Sequence, residues 1–135
     1  MFNYKRRLRC LGGSFSKFQV LSDLHLEVGD QYLSFHIPVQ APFLILAGDI
    51  GRLQDYDKYL SFITTQCAKF HAVYLVLGNH EFYGLSRSDG LARAHRLEDE
   101  EKTTGRLKVS QRKKDQKQRE LVLCCFLIPT KREPL

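Results

Sequence analysis

A chain of 135 residues has room for one domain of ordinary size. At 43% hydrophobic and 11% aromatic it can build a core, which excludes wholesale disorder, and no apolar run approaches the ~20 residues of a membrane-spanning helix. The formal charge of +6 divides unevenly: residues 1–17 carry 5 bases and no acid, residues 18–85 carry 3 bases against 7 acids, and residues 86–135 carry 13 bases against 8 acids.

The middle of the chain is therefore its acidic part, as a cation site requires, and the basic ends read as solvated, poorly ordered segments rather than a nucleic-acid surface. The start, MFNYKRRLRCLGGSFSKF, is Arg-rich and acid-free. It loosely resembles a mitochondrial transit peptide and lacks the apolar stretch of a secretory signal. The expectation is a cytoplasmic protein, with organellar import as the alternative. Cys10, Cys67, Cys124 and Cys125 follow no metal or disulfide spacing, which suits structural thiols in a reducing compartment.

After the basic segment 1–17, a first strand is expected over residues 18–22. Residues 32–37 suit a short edge segment, stopped by Pro38 and set off by Pro42. The apolar run Phe43–Ala47 is a second strand. Tyr56, Tyr59, Leu60, Ile63, Cys67 and Phe70 recur at helical spacing, predicting an amphipathic helix over 55–70 with Asp55 at its start. Ala72–Leu77 is a third strand, and Ser86 with Asp89 resembles a capping box opening a helix through about residue 101. This order of elements makes the fold α/β, with a right-handed βαβ unit between the second and third strands. Residues 102–120 have almost no apolar periodicity and read as polar linker or disordered chain. Residues 120–128, ELVLCCFLI, form a last strand candidate within a tail running from 121 to 135.

Three runs carry chemistry: LSDLHLE at 21–27, ILAGDIG at 45–51 and LVLGNHE at 75–81. In each, polar ligand residues directly follow an apolar strand, where a parallel sheet presents its ligands. Asp23 and His25 alternate, so on an extended backbone both side chains fall on one side. Asp49 ends a strand too apolar for a casual charge, since a buried carboxylate is costly unless paired or metal-bound. Asn79 offers a carboxamide oxygen and His80 an imidazole. Each has a bland alternative: a turn aspartate beside a surface histidine, an aspartate in a Gly-Asp turn, an asparagine tolerating left-handed backbone, a core histidine. All of these must hold together for the metal reading to fail.

The series D-x-H, G-D, G-N-H-[DE], each on a strand end, resembles the calcineurin-like metallophosphoesterases, and its wording resembles the small fungal-type members. The resemblance covers about residues 18–84 and continues through the helix near 86–98, so residues 18–101 read as the N-terminal portion of such a domain, its first βαβ units. It implies two divalent ions (Mn, Fe or Zn), with Asp23 and His25 on the first, Asp49 bridging, Asn79 on the second, and His80 acting on the leaving oxygen, with Asp23 as its acidic neighbour. The substrate implied is a phosphate mono- or diester. Relatives complete the site with a later lone histidine and a G-H-x-H pair. Here only His95 follows the third motif, in a helical context without the glycine, and it reads as an exposed helix residue. The ligand count then predicts one ion firmly held, a second held weakly by Asp49 and Asn79, and a truncated domain with turnover near background. The alternative is a non-catalytic relative that binds a metal or a partner.

Overall fold

The computed structural model describes residues 4–7 and 17–111. Its elements are β1 (Tyr4–Arg7), β2 (Lys17–Leu21), β3 (Phe43–Ala47), α1 (Tyr56–Lys69), β4 (Ala72–Leu77), α2 (Arg87–Asp99) and β5 (Leu107–Gln111). The sheet runs in order β1-β2-β3-β4-β5, with β1 antiparallel to β2 and all other pairs parallel. The architecture is α/β, a parallel sheet with flanking helices. Leu21 stands beside Leu46 and Leu46 beside Leu75, so the loops after β2, β3 and β4 leave at one edge.

The strand patterns decide how the layers stack. Leu44, Leu46, Val73, Leu75 and Leu107 are buried in one cluster with Tyr59, Phe62 and Ile63 of α1 and Ala94 and Leu97 of α2. Both helices thus cover the same sheet face. Within α1 the buried Tyr59, Phe62, Ile63, Gln66 and Cys67 fall on one stripe, the 3.6-residue periodicity expected of a core-facing helix. Ser86 caps α2 as its sequence predicts: its Oγ accepts the Asp89 N–H at 3.0 Å.

Several expectations change. β2 begins one residue earlier than anticipated. Asp55 does not cap α1 through its side chain; a 3₁₀ turn, Leu53–Asp55, precedes the helix, and the Asp55 carboxylate instead accepts from Arg52 and from the Tyr32 hydroxyl. Residues 32–37 form no strand. That segment is held by buried anchors: the Tyr32 hydroxyl accepts the Arg52 N–H at 2.9 Å, and Ile37 packs in the core. Gln19, fully buried, donates to the Pro38 carbonyl and accepts the Gln40 N–H, so its polar atoms are satisfied.

The basic start contains β1, paired with β2 from Tyr4↔Val20 to Arg7↔Lys17. The stretch expected as polar linker, 102–120, contains β5. Its apolar content is only Leu107 and Val109, alternating as a strand requires, with Leu107 buried and Val109 packed against the core. The strand candidate at 120–128 lies outside the described residues. Among the described residues no helix is long and apolar enough to cross a membrane.

Two measurements check this packing. Phe62 is 2% exposed, and Phe62→Ala is expected to lower unfolding stability by about 3–5 kcal/mol in chemical denaturation. Burial pushes the Cys67 thiol up to about 11, with Arg106 opposing. The folded state therefore holds this proton more tightly than the unfolded chain does, and the stability so conferred is complete below the ordinary thiol value and lost as pH rises toward about 11. At pH 8 Cys67 is expected to resist iodoacetamide, read by peptide mapping, and to react once the chain is unfolded.

Candidate metal centre

The loops after β2 and β3 continue to pair beyond the strands. Asp23 N–H donates to Gly48 O at 3.0 Å, His25 N–H to Asp49 O at 3.1 Å and Leu26 N–H to Ile50 O at 2.9 Å. Asp23, His25 and Asp49 all adopt left-handed backbone, with φ of 54°, 48° and 54°. Asp and His tolerate this region better than most residues, but it still costs energy, and such strain gathers at functional sites. The alternation expected of Asp23 and His25 on an extended backbone therefore does not apply, because the chain turns left-handed at both.

The third loop is fastened to the second by Glu81. Its side chain is fully buried. Oε1 accepts the Ile50 N–H at 2.8 Å and the Tyr59 hydroxyl at 3.3 Å, while Oε2 accepts the Gly78 N–H at 2.8 Å and the Asp49 N–H at 3.1 Å. Burial pushes this carboxyl above the ordinary glutamate value, and the backbone donors pull it part of the way back. Gly78 allows the approach: a Cβ there would lie 2.7 Å from the Asp49 nitrogen. The His80 N–H then donates to Asp49 Oδ1 at 2.9 Å. Asn79 sits in ordinary right-handed backbone, φ −75°, at the start of a 3₁₀ turn, so left-handed strain does not explain the asparagine.

Side chains from the first and third loops meet above this frame. His25 Nδ1 lies 3.1 Å from His80 Nδ1, His80 Nδ1 contacts Glu27 Oε1, and Glu27 Oε1 lies 3.9 Å from His25 Nδ1. Among the described residues, His25, Glu27 and His80 form the group of three whose ligand atoms all lie within 4.8 Å of one another; Asp23 and Asp49 fall outside it. The acidic neighbour of His80 is Glu27, where sequence reasoning placed Asp23. The His80 ring also packs on Tyr83, centroids 4.5 Å apart. His95 is a surface residue of α2, 3.8 Å from Glu98.

The calcineurin-like phosphoesterase family model matches residues 16–124. The chain belongs to the calcineurin-like phosphoesterases. The match runs beyond the motif-bearing region, through α2 and β5, so the polar stretch around β5 is part of the family's course. No curated protein and no solved structure matches the chain. The family uses divalent metals, and the residues at this edge fit one. Two imidazole nitrogens face each other at hydrogen-bond distance beside a carboxylate whose other oxygen, Oε2, is buried without a partner, a set that wants a positive centre.

Glu27 and Glu81 escaped the sequence reading. Glu27 ends LSDLHLE two residues past His25, and that spacing was the available signal. Glu81 had none beyond its place in GNHE, since its partners are distant in sequence. Replacing Glu81 by Gln is expected to cost about 2–4 kcal/mol of stability, because an amide NH₂ cannot accept from the two donors it would face and each buried unsatisfied group costs ~1–3 kcal/mol. Denaturant titration of Glu81→Gln against wild type measures this.

Proposed function

We propose that this calcineurin-like phosphoesterase hydrolyses a phosphate mono- or diester in a metal-dependent reaction. The observation that carries this reading is the closure of all three motifs on one sheet edge: the His80 backbone holds Asp49 Oδ1 while its ring lies against His25. On the family's pattern Asp23, His25, Asp49 and Asn79 would hold the divalent ions, Mn, Fe or Zn, with the second ion held weakly by Asp49 and Asn79. An ion bound there supplies Lewis-acid polarisation of the phosphoryl oxygens.

The chain's own residues do the rest. Asp49 is kept in place by the His80 N–H and by the Glu81 contact to its own N–H, so its carboxylate is preorganised. His80 is engaged through Nδ1 and has Nε2 to offer the leaving oxygen of the ester, and its side chain is 26% exposed, open to a substrate. Glu27 lies against the Nδ1 edge and orients the ring for that contact. The Tyr83 ring packs against it as well.

Hydrolysis of an aryl phosphodiester and an aryl phosphomonoester, each with and without Mn²⁺, tests the reading. The expected result is slow but Mn²⁺-dependent release of the phenol, reduced at least ~100-fold in His80→Ala. Release that is identical with and without metal, or unaffected by His80→Ala, contradicts it.

A further inference from the structure

The turn that carries His80 also carries two aromatic residues, and their surroundings differ. Phe82 is drawn inward: it packs against the core, and helix α2 meets it with Gly90, where a Cβ would collide with the Phe82 ring. Tyr83 is left outside. Its N–H donates to the His80 carbonyl at 3.1 Å, which fixes its backbone to the turn, and Gly84 then leads the chain away in left-handed backbone, φ 77°. The Tyr83 residue stays 50% exposed although its ring centroid lies 4.5 Å from that of His80. A single exposed apolar side chain needs no special cause. An exposed ring fixed against the imidazole that meets the leaving oxygen calls for one.

We propose that Tyr83 is a specificity-determining residue on which a planar aromatic leaving group stacks, so that the site prefers phosphoesters of aromatic alcohols. This rests on the phosphoesterase reading above and on the place given there to His80. The Nδ1 edge of His80 is occupied by Glu27 and His25, which directs the substrate to Nε2 of the ring that Tyr83 covers. A planar group on an oxygen held at Nε2 therefore comes within stacking range of the phenol ring, where aromatic pairs favour centroids ~4.5–7 Å apart. Tyrosine suits this task because it offers a large, rigid contact surface with few torsions to freeze. On the first loop Val28, bonded directly to Glu27, is 62% exposed and adds an apolar side chain to the same rim.

Two uncleavable phosphonates with a methylene in place of the bridging oxygen test the assignment: benzylphosphonate and cyclohexylmethylphosphonate. The saturated ring is the more hydrophobic, so simple apolar burial favours it and stacking favours the benzyl group. Isothermal titration of the full chain with Mn²⁺ present is expected to show benzylphosphonate binding at least ~3-fold tighter. That preference is expected to persist in Tyr83→Phe and to vanish in Tyr83→Leu, with circular dichroism establishing that both variants fold. A tyrosine that only braced His80 would leave the preference intact in Tyr83→Leu, whatever happened to turnover. Equal affinities or no binding in the unaltered chain, or a preference that survives Tyr83→Leu, overturns the assignment. Mn²⁺-dependent ester hydrolysis would then still uphold the phosphoesterase reading, whereas hydrolysis indifferent to Mn²⁺ removes that reading itself.

Discussion

The buried carboxylate of Glu81 is the interaction on which the rest of the site depends. It accepts from the Gly78, Asp49 and Ile50 amides and from the Tyr59 hydroxyl, so one side chain joins the loop after β4, the loop after β3 and helix α1. Its burial is costly, and the four donors offset that cost only if both loops are in place. The carboxylate therefore couples the folding of the core to the assembly of the strand-end edge. Gly78 and the His80 amide, which brace Asp49, follow from the same closure.

Strain is the other side of this arrangement. Asp23, His25 and Asp49 are held in left-handed backbone while the Asp23 and His25 N–H groups donate across to the Gly48 and Asp49 carbonyls. The extended backbone gives way to left-handed residues just past the strands, although hydrogen bonds continue between the two loops. A parallel sheet can tolerate this at its carboxyl edge because the interior positions of β3 and β4 are apolar and tightly covered by α1 and α2. The rigid layer below carries the energetic cost of the bent loops above.

Much of the scaffold was legible in the sequence. β3, β4 and α1 announce themselves as apolar runs and a helical stripe, and Ser86 with Asp89 marks the start of α2, because these signals are local. β5 was not legible, since only Leu107 and Val109 are apolar and its pairing with β4 depends on a crossover through α2. β1 was hidden for a similar reason: it is built from a basic stretch and exists by pairing with β2. Of the site, the motif residues could be read as strand-end ligands, but the left-handed backbone at Asp23 and His25 could not, because D-x-H looks like continued strand. Glu27 and Glu81 sit inside the quoted motifs, yet their roles arise from contacts with residues far along the chain.

The claim that Glu81 preassembles the edge is tested most directly by amide hydrogen exchange in the metal-free protein, resolved by residue with NMR. Preassembly predicts that the Asp49, Ile50 and Gly78 amides exchange only through global unfolding, with protection matching that of β4. Exchange of these three amides by rapid local opening, while β4 stays protected, would contradict it.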